Sequence, residues 1–127
     1  MILLDTQTLF WFLKGDRKLG PLTKNVLSES RDLHFSTLSI LEFETKALDR
    51  GDLKQRVLRP AAIAAGIFEL QPKGEEFERT ADFPQLHRHD PIDRALIMQA
   101  SWHNADFYTS DKKLLSLGLA WVKDSQE

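Results

Sequence analysis

The sequence of 127 residues contains no cysteine. Disulfide bonds and thiolate metal sites are therefore excluded, and a cysteine-free chain fits a reducing compartment, so we expect a cytoplasmic protein. No apolar run approaches the length that a membrane span needs. The start of the chain, Met1-Ile2-Leu3-Leu4 followed by Asp5, has neither the basic region nor the cleavage site of an export signal, and we expect none.

The chain also lacks a glycine-rich phosphate loop and a G-x-G-x-x-G pattern, which argues against a nucleotide cofactor. It has no excess of positive charge, because 17 lysines and arginines stand against 19 aspartates and glutamates. A nucleic-acid substrate would have to be attracted by a local basic rim. The hydrophobic content of 42% and the charged content of 28% are ordinary for a globular protein, and we expect a single domain over residues 1–127.

Short apolar runs alternate with helical patterns along the whole chain. Strands are predicted at Ile2–Leu4, Leu33–Ser36, 66–70, Asp106–Thr109 and 120–122. Helices are predicted at residues 6–13, 20–31, 39–51, 53–65 with an interruption at Pro60, 74–82, 90–100 and 112–117. This alternation is typical of a parallel sheet covered on both faces, in which ligands gather outside the carboxyl ends of the strands.

The segment from His89 to Ala100 is the most informative part of the chain. Asp90 suits an N-cap, Pro91 suits the first helical position, and Asp93 lies in the first turn, where the helix dipole favours negative charge. Arg94 follows directly, and then an apolar helix face. Capping alone would explain both acids, so this segment by itself does not indicate catalysis.

Comparable carboxylates recur elsewhere, each where a predicted strand gives way to a helix. The four acids in this context are Asp5, Glu42, Asp93 and Asp111. In a parallel sheet they would converge on one edge and repel one another unless a cation were present. Ligands that are all oxygen suit Mg²⁺ or Mn²⁺, whose natural chemistry here is hydrolysis of a phosphodiester. Arg94, Lys112 and Lys113 lie next to two of these acids and could contact a phosphate backbone.

Each acid also has a purely structural explanation. Asp5 and Asp111 could cap the helices that follow them. Glu42 comes three residues after Ser39, as in a capping box, and four before Lys46, as in a helix-surface ion pair. The aromatic cluster around Trp11 is expected to be core or subunit interface before it is a base-stacking surface.

The four acids stand in motifs that resemble those of PIN-domain ribonucleases of the VapC toxin type. The matching segments are Leu3-Leu4-Asp5-Thr6, Ser36 to Lys46 with Glu42 as its acid, Asp90-Pro91-Ile92-Asp93-Arg94, and Thr109-Ser110-Asp111. The third is close to the family's DPFDR-type motif and is the most specific. Three positions depart from the pattern: Gln7 stands where a histidine is common, Leu41 where a tryptophan is common, and Ile92 where a phenylalanine is usual.

This resemblance implies a three-layer α/β/α sandwich with a mainly parallel sheet. It also implies a metal-dependent endoribonuclease that is the toxin of a toxin–antitoxin pair, with the metal-binding and catalytic residues Asp5, Glu42, Asp93 and Asp111. Asp90, Thr109 and Thr6 are candidate helpers, and Arg94, Lys112 and Lys46 are candidate phosphate contacts. The implied cofactor is Mg²⁺ or Mn²⁺, and the implied partners are RNA, an antitoxin of the VapB type near residues 9–13, and a second copy of the chain.

Two other interpretations remain open. The chain could be a PIN-fold module that binds protein or nucleic acid without catalysis, in which case divalent ions should change neither its stability nor any cleavage. A phosphatase of the haloacid dehalogenase type would use Asp5 as its nucleophile. That reading is disfavoured because Gln7 occupies the place of the second aspartate in the D-x-D motif.

Overall fold

Successive apolar residues of the short strands point to opposite faces of a central sheet, because side chains alternate along a strand. In the computed structural model, which describes all 127 residues, Leu4 and Phe35 belong to a core on one face. Leu3 and Phe107 belong to a second core on the other face. Two helical layers cover these cores, so the predicted three-layer α/β/α class is confirmed.

All neighbouring strands of the five-stranded sheet are parallel, in the order β3-β2-β1-β4-β5. The strands are β1 (Ile2–Leu4), β2 (Leu33–Ser36), β3 (Phe68–Leu70), β4 (Asp106–Thr109) and β5 (Val122–Asp124). The chain builds the sheet outward from β1 to β3 and then returns to the other side of β1 with β4. A crevice for ligands is expected where the direction reverses, outside the carboxyl ends of β1 and β4.

Seven α-helices follow the strands. They are α1 (Thr6–Lys14), α2 (Pro21–Glu29), α3 (Thr37–Asp49), α4 (Leu58–Ala64), α5 (Gly74–Phe77), α6 (Pro91–Trp102) and α7 (Lys112–Leu115), with 3₁₀ turns at Glu78–Asp82 and Pro84–Leu86. Side chains of α1, α2 and α4 contribute to the first core, and those of α6 and α7 contribute to the second. None of these helices has both the length and the apolar character that crossing a membrane requires.

The predicted elements are all present, but several boundaries differ. The helix expected over 53–65 begins only at Leu58, and Pro60 lies in its first turn, where a missing N–H costs little, instead of interrupting it. The helix expected over 74–82 is α-helical only to Phe77 and continues as a 3₁₀ turn. The last strand is shifted to Val122–Asp124. These are short elements, whose ends depend on tertiary packing more than on local pattern.

Candidate active site

Asp5 lies at the centre of the carboxyl edge of the sheet because β1 is the middle strand. Its backbone N–H donates to the carbonyl of Tyr108 on β4, with 3.0 Å between the nitrogen and the oxygen. Its Oδ1 accepts from the backbone N–H of Thr8 at 2.7 Å, so Asp5 caps α1 as well. Its Oδ2 accepts from the hydroxyl of Thr109 at 2.5 Å. Both carboxylate oxygens are therefore held in place from two sides.

Asp111 is tied to the same edge through Thr109. The Thr109 hydroxyl oxygen accepts from the backbone N–H of Asp111 at 3.0 Å while it donates to Asp5. Asp111 also caps α7, since its Oδ1 accepts from the backbone N–H of Lys113 at 2.8 Å. The buried Thr109 thus links the acid that follows β1 to the acid that follows β4.

Three further carboxylates meet from α3 and α6. Glu42, Asp90 and Asp93 each offer an oxygen, and these oxygens all lie within 4.8 Å of one another. Asp90 is the N-cap of α6, with Oδ1 accepting from the backbone N–H of Ile92 at 2.8 Å and of Asp93 at 3.3 Å. Asp93 is half-buried and is the third residue of α6.

The electrostatics connect these two groups of acids. Burial, the largest cause, and the negative charges of its neighbours together raise the pKa of Asp93 to about 7. Those neighbours, in order of their effect, are Asp111, Glu42, Asp90 and Asp5. Burial also raises the pKa of Asp5, although hydrogen bonds from Thr109 and Thr8 oppose the change and Glu42 adds to it. The other four carboxylates therefore lie near enough for their charges to act on Asp93, and we call the group of five the acidic pocket.

No basic side chain neutralises the acidic pocket. The ion pairs of the protein involve other acids, and none of the five has a lysine, arginine or histidine nitrogen within 4.0 Å. The donors are all hard oxygen atoms, and their mutual repulsion would be relieved by a bound cation. This combination fits Mg²⁺ or Mn²⁺ and offers nothing to a thiophilic metal.

The structural explanation offered for Glu42 is wrong. The N-cap of α3 is Ser36, whose hydroxyl accepts from the backbone N–H of Leu38 at 3.1 Å, so Ser39 lies inside the helix and forms no capping box with Glu42. The ion pair expected between Glu42 and Lys46 is absent too. For Asp5, Asp90 and Asp111 the capping explanation is correct, and it coexists with their convergence.

The auxiliary candidates lie in different places. Thr6 is buried beside Asp5, and its hydroxyl has no hydrogen-bond partner. Arg94 is half-buried and lines a groove with apolar neighbours such as Leu38 and Met98, and its Nε has no hydrogen-bond partner. Lys112 is exposed on the first turn of α7, next to Asp111.

One feature near Asp5 and Glu42 was not identified from the sequence. A small crevice between α1 and α3 is lined by Thr6 and Gln7 on one side and by Lys46 and Arg50 on the other. The signal was present in the chain, because Glu42, Lys46 and Arg50 are spaced by four residues and so follow one side of a helix. Arg50 was not named as a candidate, although it continues this spacing.

Known proteins resemble this chain in family and in fold. The family model described as "PIN domain" matches residues 2–118. The chain belongs to the PIN domain family. Members of this family are generally metal-dependent nucleases. Among solved structures, this PIN domain is similar to a chain of a toxin–antitoxin complex from Klebsiella pneumoniae, with 16% identity, a TM-score of 0.70 and 98% of each chain covered. That likeness concerns the fold. No curated protein matches the sequence.

Proposed function

We propose that this PIN domain is a metal-dependent endoribonuclease that hydrolyses phosphodiester bonds in the acidic pocket. The observation that carries the proposal is the convergence of five carboxylates without any basic partner. Such a pocket is electrostatically unfavourable for a purely structural purpose, since paired acids would serve better. The arrangement becomes electrostatically favourable when a divalent ion and a phosphate bind there.

In this proposal Asp5, Glu42, Asp93 and Asp111 hold one or two Mg²⁺ or Mn²⁺ ions and act as the catalytic residues. The bound ion supplies an activated water and neutralises charge on the phosphate and on the leaving oxygen. Asp90 adds a fifth carboxylate at the rim. The hydroxyl of Thr109 donates to Asp5 and so fixes the orientation of the Asp5 carboxylate.

The substrate in this proposal is RNA, held by cations around the pocket. The chain has no overall positive charge, so the candidates are the basic residues nearest the acids: Arg94, Lys112 and Lys46. Of these, Lys46 and Lys112 are exposed and free of ion pairs. They are therefore available to a phosphate backbone, whose contacts position a strand without reading its sequence.

We further infer that the protein is the toxin of a toxin–antitoxin pair of the VapBC type, acting in the cytoplasm as a homodimer. Two observations support this: the motif resemblance, and the fold shared with a chain of a toxin–antitoxin complex. The region first considered for the antitoxin, residues 9–13, is only partly accessible, because Leu9 and Trp11 are buried. Phe10 and Leu13 line an apolar groove of about 420 Å³ against α4, and we assign the antitoxin contact to that groove.

Asp5→Asn tests the proposal most directly. Asparagine is as good an N-cap as aspartate, so the hydrogen bond from Thr8 and the fold should survive. We expect loss of RNA cleavage and of growth inhibition on expression, with an unchanged circular dichroism spectrum. The wild-type digest should require Mg²⁺ or Mn²⁺ and stop on addition of EDTA.

The same experiment separates the nuclease from a non-catalytic PIN module. A binding module would show no cleavage at any concentration of either ion, and its melting temperature would not change with the ion. An Asp5→Asn protein that cleaves RNA at the wild-type rate would refute the assignment of the acidic pocket.

A further inference from the structure

A crevice beside the acidic pocket has the properties of a phosphate site. It lies between α1 and α3, and we call it the α1–α3 crevice. Its lining consists of Thr6, Gln7, Phe10, Phe43, Lys46, Arg50 and Leu53. The polar members carry amide, ammonium and guanidinium donors, and no carboxylate lines it. An anion is the ligand that such a set of donors favours.

On both of its walls the crevice is lined by residues close in the chain to acids of the acidic pocket. On the α1 wall, Thr6 follows Asp5 directly in the chain. On the α3 wall, Lys46 comes one helical turn after Glu42, and Arg50 comes one turn later at the helix end. Four residues of an α-helix advance by about 6 Å, so the charge changes from negative to positive over about one turn. A strand with its reacting phosphate at the acids would therefore meet these cations with its next phosphates.

Two details indicate a site that awaits a ligand and not merely a solvated surface. The hydroxyl of Thr6 is buried and has no hydrogen-bond partner, although buried polar groups are normally satisfied. The floor is aromatic, because the rings of Phe10 and Phe43 pack with centroids 5.6 Å apart.

We propose that the α1–α3 crevice binds the backbone of single-stranded RNA at the phosphate adjacent to the scissile one. The RNA strand then leaves the acidic pocket along α3, with Lys46 as the main contact and Gln7 as a hydrogen-bond donor. The inference rests on the proposed nuclease function and specifies the direction in which its substrate runs.

Asp52 moderates this site. Arg50 is held by Asp52 in a two-pronged ion pair, with Nε 3.1 Å from Oδ1 and Nη2 2.7 Å from Oδ2. A phosphate that binds Arg50 must compete with this carboxylate. Removal of the Asp52 charge should therefore strengthen RNA binding.

The experiment measures binding of a fluorescein-labelled single-stranded RNA 12-mer to the full chain by anisotropy. Ca²⁺ replaces Mg²⁺ so that cleavage does not interfere, and salt is titrated. Lys46→Ala should weaken binding about fivefold, as expected for one lost contact of about 1 kcal/mol. It should also reduce the slope of log K against log salt by about 0.7. Lys24→Ala, at an exposed lysine of α2 without an ion pair, is the matched control and should change neither quantity.

The gain-of-binding arm uses two aspartates in similar surroundings. Asp52→Asn should tighten binding about two- to threefold. Asp82→Asn is the control, because Asp82 is about as exposed and is also paired with an arginine, Arg79 at 3.2 Å. In steady-state cleavage with Mn²⁺, Lys46→Ala should raise KM and leave kcat within about twofold, whereas a merely structural role for Lys46 would lower the melting temperature.

The outcomes separate this inference from the nuclease proposal. If the wild type binds RNA and Lys46→Ala binds as tightly as Lys24→Ala, the crevice assignment is wrong. The nuclease proposal is then decided separately by the RNA digest. If the wild type binds without cleaving, the nuclease is refuted and the Lys46 comparison still decides the crevice. If the wild type does not bind RNA, or if Lys46→Ala impairs only association with a protein partner, the RNA assignment is overturned.

Discussion

Two environments of acidic side chains contrast in this protein. Outside the acidic pocket, some acids are paired with bases. Four of these pairs are Asp52 with Arg50, Glu69 with Arg59, Glu76 with His103 and Asp82 with Arg79, at 2.7 to 3.2 Å. In the acidic pocket no base comes within 4.0 Å of any carboxylate. The unpaired carboxylates of the acidic pocket lower the stability of the fold. A requirement other than folding must therefore explain them.

The pKa values of Asp93 and Glu69 show the contrast. Burial and four neighbouring acids raise the pKa of Asp93 to about 7. Burial would raise the pKa of Glu69 as well, but hydrogen bonds from Thr37 and Arg59, with the charge of Arg59, lower it overall. Two half-buried carboxyl groups thus have opposite pKa shifts because one has acidic neighbours, and the other has hydrogen-bond donors and a cation.

Capping explains how the fold accommodates the acidic pocket. Asp5, Asp90 and Asp111 each accept a backbone N–H at a helix N-terminus, and each cap contributes about 1 kcal/mol. The helix dipoles add a favourable term for negative charge at the same places. Because these contacts offset part of the repulsion, the protein can hold the acids together before any cation arrives.

The largest difference between the two kinds of acid should appear in catalysis. Asp93→Asn removes a charge from the acidic pocket, and we expect kcat for RNA cleavage to fall by about 1,000-fold or more. Glu69→Gln removes an equal charge from a paired acid, and we expect kcat to stay within about twofold. Both variants are measured with saturating Mn²⁺. Equal losses in both would show that cleavage depends on general fold stability and not on the acidic pocket.

The next largest effect should fall on stability at a paired acid. Glu76 is fully buried, accepts from the backbone N–H of Lys73 at 2.9 Å, and lies 3.1 Å from Nε2 of His103. Glu76→Ala leaves that N–H without a partner and opens a cavity, so we expect a loss of about 2–3 kcal/mol in the free energy of unfolding. Urea denaturation measures this loss. A change below about 0.5 kcal/mol would mean that the pair is not a structural contact.

Much of this contrast could be predicted from the sequence. The parallel α/β class followed from apolar runs that alternate with helical patterns, and the edge where acids gather followed from the topology of parallel sheets. The capping of α6 by Asp90 was predictable as well, because Asp-Pro is a local signal that needs no tertiary information.

Individual contacts between distant residues were not predictable. The hydrogen bond from Thr109 to Asp5, which ties Asp5 to the edge that Asp111 shares, joins residues 104 positions apart. The capping box assigned to Ser39 failed because Ser36, at the end of a strand, begins α3 earlier than the apolar pattern indicated. The pairing of Glu69 with Arg59 needed the position of α4, whose start was misjudged by several residues.

The third prediction concerns pH in the absence of metal. The folded-state pKa of Asp93, about 7, exceeds its ordinary value of 3.8, so the folded chain binds more protons than the unfolded chain between these pH values. Stability should therefore fall as pH rises from about 4 to about 7, by about 1–2 kcal/mol after allowance for solvent screening. Urea denaturation of the wild type and of Asp93→Asn in EDTA measures the difference, and the variant should be the more stable at pH 8.

A titration with Mg²⁺ at pH 8 provides the control for that prediction. Binding to the folded state alone stabilises it by RT ln(1 + [L]/Kd), about 2.7 kcal/mol at 100 times Kd. The wild type should therefore recover its melting temperature with Mg²⁺, and Asp93→Asn should gain less. If the wild type had the same stability at pH 5 and pH 8 in EDTA, the carboxylates of the acidic pocket would not repel one another as we infer.

The smallest effect, with the opposite sign in pH, should come from Glu69. Because its folded-state pKa lies below the ordinary 4.5, its contribution is present above about pH 4.5 and is lost as pH falls through the folded-state value. Glu69→Gln keeps an acceptor for the Thr37 hydroxyl, which donates to Oε2 at 2.7 Å, but it loses the charge attraction to a half-exposed Arg59 and the acceptor for Arg59 Nε at 2.7 Å. We expect it to cost about 0.5–1 kcal/mol at pH 7 and less as pH falls, as measured by urea denaturation. A loss that does not diminish with falling pH would assign the effect to packing, and the contrast between paired and unpaired acids would then rest on Asp93 alone.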